Sequence, residues 1–181
     1  MKYHQTITLK NGMECTLRNG EEKDGPGVLG VFQLTHGETD YLLTYPEETT
    51  FDARQEGQFL KEKTESNREI EIVAEINGAI VGTGGIQGVG TVYKLRHRAE
   101  FGIGIAREYW GLGIGKALTE ACIACARKAG YTQLELDVVG ENQAAIALYR
   151  KMGFQEYGRN PKGFRSRLTG DQELVYMRLE L

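Results

Sequence analysis

The run Tyr109-Trp110-Gly111-Leu112-Gly113-Ile114-Gly115-Lys116 is the part of this chain most able to do chemistry. Glycines at alternate positions free the backbone from Cβ crowding, so successive N–H groups can converge on one point. If that point lies at the first turn of a helix, unpaired donors and the positive end of the helix dipole make an anion site. The ligand this implies is a phosphate or pyrophosphate; the alternative is a glycine-rich turn that merely joins two elements. Two familiar phosphate loops are excluded by spacing. A Walker A loop needs glycine five residues before the Gly-Lys pair and a hydroxyl after it, where this chain has Trp110 and Ala117. The dinucleotide fingerprint G-x-G-x-x-G fails because Lys116 stands where its third glycine belongs.

Two further residue types could act on a substrate near such a loop. Glu100 shares a strand phase with Gly102 and Gly104, where a ligand could approach the backbone. It is a candidate base, against the reading of a surface carboxylate paired with Arg98 or Arg96. Tyr149 lies on the apolar face of a helix, in company that suits either a core tyrosine or a proton donor. Cys122 and Cys125 stand three apart, but no second pair and no nearby histidine completes a metal tetrad. They read as small buried side chains, so no metal is expected.

The elements that must position these residues are clearest in the second half. Ala99, Phe101, Ile103 and Ile105 alternate with Glu100, Gly102 and Gly104, the period of a half-buried strand. Ile114, Ala117, Leu118, Ala121, Cys122, Cys125 and Ala129 keep helical spacing up to Gly130. Leu134, Leu136 and Val138 form another alternating strand, and Asn142 caps a helix carrying Ala145, Leu148, Tyr149 and Met152 until Gly153. Strands are expected over 154–157 and 174–179, joined by a loop from Arg159 to Asp171 that carries Arg165 and Arg167 and, under the family resemblance given below, borders the acceptor cleft. In the first half, Asn11-Gly12 and Asn77-Gly78 mark tight hairpins, and helices are expected over about 25–36 and 51–66. The glycines at 82, 84, 85, 88 and 90 suggest twist, a bulge or close backbone approach.

Strand, helix, strand, helix, strand in this order implies a mixed sheet with a parallel pair bridged by the 113–129 helix. With 181 residues and no composition break, a single domain is expected. A formal net charge of -3 argues against a protein that lives on nucleic-acid phosphates. No apolar run approaches the ~20 residues that span a bilayer, and Met1 to Gln5 lack a signal-peptide stretch. A cytoplasmic protein without nucleic-acid or membrane partners is the expectation, with a homodimer left open.

The stretch from Glu100 to Phe154 resembles the core of the GCN5-related N-acetyltransferase (GNAT) superfamily. The resemblance rests on the strand, the 110–115 loop, its helix, the next strand and Asn142-Gln-Ala-Ala-Ile146-Ala-Leu148-Tyr149-Arg-Lys-Met-Gly153-Phe154. It implies an α+β three-layer fold: a mixed, mostly antiparallel sheet of six to seven strands with a splayed parallel pair, flanked by about four helices. The hairpin at about 5–18 then looks like an N-terminal extension. It also implies acetyl-CoA as donor and a primary amine as acceptor, on a small molecule, a peptide N-terminus or a lysine. By resemblance, the backbone of Ile103, Gly104 and Ile105 pairs with the pantetheine arm, and Gly111, Leu112, Gly113, Ile114, Gly115 and Lys116 hold the pyrophosphate. Asn142 lies by the same arm and Tyr149 near the thioester sulfur as acid; the base that such a transfer also needs is Glu100, on its strand phase alone. Trp110 departs from the Arg or Gln usual there, so Lys116 or Arg107 would supply charge instead. A catalytically silent acyl-CoA sensor is the alternative function.

Overall fold

The computed structural model describes Met1–Leu181. Its centre is an eight-stranded sheet in the order β1-β2-β3-β4-β5-β6-β8-β7. The strands are β1 (His4–Thr8), β2 (Glu14–Asn19), β3 (Ile70–Ile76), β4 (Ala79–Gly88), β5 (Arg98–Ile105), β6 (Gln133–Val139), β7 (Gln155–Ser166) and β8 (Gly170–Glu180). The helices are α1 (Gly25–Glu38), α2 (Ala53–Glu65), α3 (Ile114–Lys128) and α4 (Gln143–Lys151). The mixed three-layer architecture is the expected one, with eight strands rather than six or seven because the N-terminal hairpin joins the same sheet.

Local chemistry sets the boundaries. Asn77 and Gly78 take φ of 50° and 82°, the paired positive angles that a two-residue hairpin requires. The turn between β1 and β2 differs from expectation, since only Gly12 has positive φ and its N–H closes onto the Leu9 carbonyl at 2.9 Å. Asp52 starts α2 by accepting from the amides of Arg54 and Gln55, while Gln55 reaches back to the Asp52 amide. On one face of the sheet, α3 and α4 close the main core over Ile70, Ile72, Ile86 and Phe101. On the other, α1 and α2 bury a smaller cluster of Val28, Leu60 and Val73.

The expected loop from Arg159 to Asp171 is instead the end of a long hairpin. β7 continues to Ser166, with register breaks between Glu156 and Gly158 and between Asn160 and Phe164. Pro161 falls in the second break: proline cannot donate to a ladder, and a bulge on an edge strand absorbs it.

β5 and β6 form the one parallel pair, and they touch only at Arg98–Gln133, Ala99–Leu134 and Glu100–Glu135. Beyond Glu100 they part. β5 stays on β4 through Ile105, while β6 follows β8 along its whole length. No helix is long and apolar enough to cross a membrane.

Candidate active site

The glycine loop leads into α3 through two residues that only glycine adopts easily, Gly111 at φ 76° and Gly113 at φ 109°. Gly113 is the N-cap, and the first turn of α3 holds no acidic residue. No protein acceptor takes the amide hydrogens from Gly111 through Lys116; the first bonded amide is Ala117, to the Gly113 carbonyl at 3.1 Å. A continuous run of free donors at the positive end of a 15-residue helix is an anion cradle. The N-terminal hairpin braces it, because the Lys10 amide donates to the Leu112 carbonyl at 3.2 Å. Ile114 is buried, so it offers only its backbone. Of the cationic side chains expected to supply charge here, Lys116 is exposed and pairs with Glu120 at 2.8 Å, and the Arg107 guanidinium lies over the Trp110 ring.

The parted strands supply the second element. The Ala106 amide donates to Val81 on the β4 side, and the His97 carbonyl accepts from Thr132 and Gln133 on the β6 side. Strand alternation then turns the backbone groups of Phe101, Ile103 and Ile105 toward the gap, and those of Gly102 and Gly104 toward β4. Of the three residues expected to pair with an extended arm, Ile103 and Ile105 present polar groups to the gap and Gly104 does not. Trp110 has a role the sequence did not reveal. Its indole N–H donates to the Ile105 carbonyl at 2.7 Å, which ties the loop to the end of β5 and leaves the Ile105 amide on that edge.

Asn142 caps α4, accepting from the Ala145 amide at 3.2 Å, so its Nδ2 remains to donate. Tyr149 is buried against Phe101 and Phe154, with ring centroids 5.9 and 5.8 Å away. Its hydroxyl has no hydrogen-bond partner in the protein and is not sealed from solvent. Burial pushes its ionisation well above the usual phenol range, so the hydroxyl keeps its proton at neutral pH. Both cysteines of the C-x-x-C pair are buried in the main core.

Glu100 lies on the opposite face of β5 from Tyr149's partner Phe101, and it opens into a cavity of about 390 Å³ between the sheet and α1–α2. Arg98, one expected partner, instead clasps Glu135 with two bonds of 2.6 and 2.7 Å, and Glu100 forms no ion pair. The floor carries Gly102, Gly104, Gly85 and Glu71, and the walls include Phe32, Thr35, His36, Phe59 and Lys63. Sequence reasoning missed this α1–α2 side and Glu71 altogether. Strand alternation in β3 could have put Glu71 on that face, but not beside Gly85. Arg159, Arg165 and Arg167, expected near the cleft, are held by Glu156 and Glu173, by Asp171, and by Glu47 and Glu48 respectively. None of them lines the cavity.

An anion cradle, a parted strand pair and a cavity carrying a free carboxylate thus meet along β5. The profile of the Acetyltransferase (GNAT) family matches residues 34–154. The chain belongs to the GNAT acetyltransferase family. Its fold superposes on a GNAT-family acetyltransferase from Streptococcus pneumoniae with a TM-score of 0.88 and 27% identity, covering 92% of this chain and 99% of that one. A putative acetyltransferase from Salmonella typhimurium, solved with its cofactor acetyl-CoA, gives 0.81 at 19% identity over 92% and 94% of the two chains. Among curated relatives, the N-acetyltransferase 8 of Rattus norvegicus is 37% identical over 89 residues, 49% of this chain and 40% of that protein. The matched region also spans only 39% of the probable N-acetyltransferase family 8 member 5 of Mus musculus. A Pseudomonas aeruginosa L-methionine sulfoximine/L-methionine sulfone acetyltransferase is 23% identical over 83% of this chain and 86% of its own length.

Proposed function

We propose that this GNAT member transfers the acetyl group of acetyl-CoA to a primary amine seated in the cavity over β5. The observation that carries this reading is the unbroken run of free amides from Gly111 to Lys116, placed beside the gap between β5 and β6. The residues fit the donor: a pyrophosphate suits the amide cradle, and an extended amide-bearing arm suits the backbone edge of Ile103 and Ile105. Asn142 Nδ2 is the side-chain donor for that arm. Acetyl-CoA supplies an activated acyl group as a thioester.

The chain's own residues supply the proton traffic. An alkylammonium must lose a proton before its nitrogen can attack, and Glu100 is the carboxylate that takes it, directly or through water. Tyr149, protonated and with a hydroxyl that no protein group claims, gives a proton to the departing sulfur. We take residues 1–181 as one domain, with the hairpin at 5–18 an extension that steadies the cradle. A cytoplasmic setting fits three cysteines that are all free and buried.

The test is binding first and turnover second. Acetyl-CoA should raise the melting temperature by mass action, while ATP or NAD at equal concentration should not. Release of free thiol should then depend on an added primary amine. An equal shift with ATP refutes the acetyl-CoA reading; binding with no turnover on any amine indicates a silent acyl-CoA sensor.

A further inference from the structure

Glu71 plays no part in the proton traffic just described, yet it stands in the same cavity. β3, β4 and β5 lie side by side with Glu71 opposite Gly85 and Gly85 opposite Gly102, so all three face α1–α2. The Glu71 carboxylate folds across Gly85: a Cβ there would lie 2.0 Å from its Oε2. One strand further on, a Cβ on Gly102 would meet nothing within 4 Å, so open space stands above that residue. Glu100 rises on the same strand, and Thr35 overhangs Gly104, its Oγ1 3.5 Å from a Cβ built there. Phe32 and Phe59 provide apolar wall above.

The charges in the cavity are unbalanced. Lys63 is engaged by Glu69 at 2.7 Å and Gln87 at 3.2 Å. His36 has its Nδ1 2.8 Å from the Phe32 carbonyl, and burial lowers its basicity. The two carboxylates without an ion pair are Glu71 and Glu100.

We propose that the acceptor is a primary alkylamine with an apolar or aromatic body, its ammonium held above Gly102 by Glu71 and Glu100 together, and that Glu71 selects it. This rests on the acetyl-transfer reading. An amino acid would bring a third carboxylate beside these two and is disfavoured. In the reaction the N–C bond forms as the C–S bond breaks. Of the two protons the ammonium loses, one ends on sulfur and one in solvent. Glu71 holds the ammonium only as the carboxylate, and burial raises its carboxyl to about 7. The groups facing it are Lys63 and Glu56 from α2, His36 from α1, Glu69 before β3, Thr83 on β4 and Glu100 on β5, while Cys122 of α3 lies behind it across the sheet. The ammonium therefore binds more tightly as pH rises through that value.

The experiment compares 2-phenylethylamine, L-phenylalanine and putrescine by thiol release, with wild type, Glu71→Gln and Glu71→Asp, between about pH 6 and 9, where alkylamines stay charged. 2-Phenylethylamine should exceed L-phenylalanine in kcat/KM by about tenfold or more, the scale of one charge-assisted contact. Glu71→Gln should raise the KM for 2-phenylethylamine about tenfold, with kcat and acetyl-CoA affinity little changed, and should flatten the fall of KM with pH. Glu71→Asp should restore part of the loss. Gly85→Ala, which keeps the carboxylate but displaces it, should reproduce the KM defect even if Glu71→Gln folds poorly. A KM within about twofold of wild type in both Glu71→Gln and Gly85→Ala overturns the role of Glu71 alone. Preference for L-phenylalanine or putrescine, or no turnover of 2-phenylethylamine with acetyl-CoA bound, overturns the acceptor class. Failure to bind acetyl-CoA overturns the transferase reading itself.

Discussion

Replacing Tyr149 by Phe separates packing from proton donation more cleanly than any other change in this protein. The ring meets Phe101 edge-on at 5.9 Å and 85°, and Phe154 at 5.8 Å, and phenylalanine keeps both contacts. The lost hydroxyl has no protein partner, so no intramolecular hydrogen bond is broken. Stability should therefore move by no more than about 0.5 kcal/mol, against about 3–5 kcal/mol for an alanine that empties the site. If the hydroxyl protonates the departing sulfur, kcat should fall by about 10²–10⁴-fold, which is about 3–5 kcal/mol of barrier. Acetyl-CoA affinity should be little changed. Because burial holds the phenol's ionisation well above its usual range, the wild type should show no alkaline limb from this group up to about pH 9. Steady-state thiol release with a saturating amine, beside a thermal melt of each variant, measures both quantities. A kcat within about threefold of wild type, with the melt unchanged, would refute proton donation and leave Tyr149 as a core residue.

Three other outcomes are expected. Gly113→Val places a β-branched residue at φ 109°; it should cost about 1–2 kcal/mol locally and weaken acetyl-CoA binding, read by calorimetry, with the core melt largely kept. Glu100→Gln should cut turnover at neutral pH and recover in part as pH rises and more amine arrives unprotonated; an unchanged neutral-pH rate assigns the proton to water or another group. Glu71 adds a pH dependence of stability. Its carboxyl titrates at 4.5 in the open chain and about 7 in the fold, so between those values the native state holds a proton the unfolded state has released. Stability falls as pH rises through that window, by on the order of 2 kcal/mol after allowing for partial exposure. Denaturation of Glu71→Gln should lack that fall, and an identical pH profile in both proteins would show that burial does not perturb this group.

The sequence was most legible where the cause of structure is local. Helical spacing from Ile114 to Ala129 and the cap at Asn142 depend on neighbours within a few residues, and both helices lie where they were expected. Alternation in β5 put Glu100 on one strand face with Gly102 and Gly104 for the same reason, and that face lines the cavity. What stayed hidden depends on register and on distant partners. Nothing near Glu71 says that it faces Gly85, because that follows from pairing β3 with β4, and the cavity exists only once α1 and α2 cover the sheet. Arg167 looked like a cleft residue until Glu47 and Glu48, over a hundred positions earlier, claimed it. The segment from Arg159 to Asp171 read as a loop because bulges in an edge strand leave no periodic trace.

The sheet is joined across β5 and β6 by three residue pairs, with the double clasp of Arg98 on the buried Glu135 at the same end. Such a junction behaves as a pivot with two long jaws. From Glu100 to Ile105 the part of β5 that has left β6 is about 17 Å long, so a rotation of about 5° at the pivot, carrying β4 with it, swings its tip by about 1.5 Å. That is half a hydrogen-bond length, enough to make or lose contact with anything gripped between the jaws. The Arg98–Glu135 ion pair therefore stands at the closed end of the gap, where a small change of angle has its largest effect at the open end.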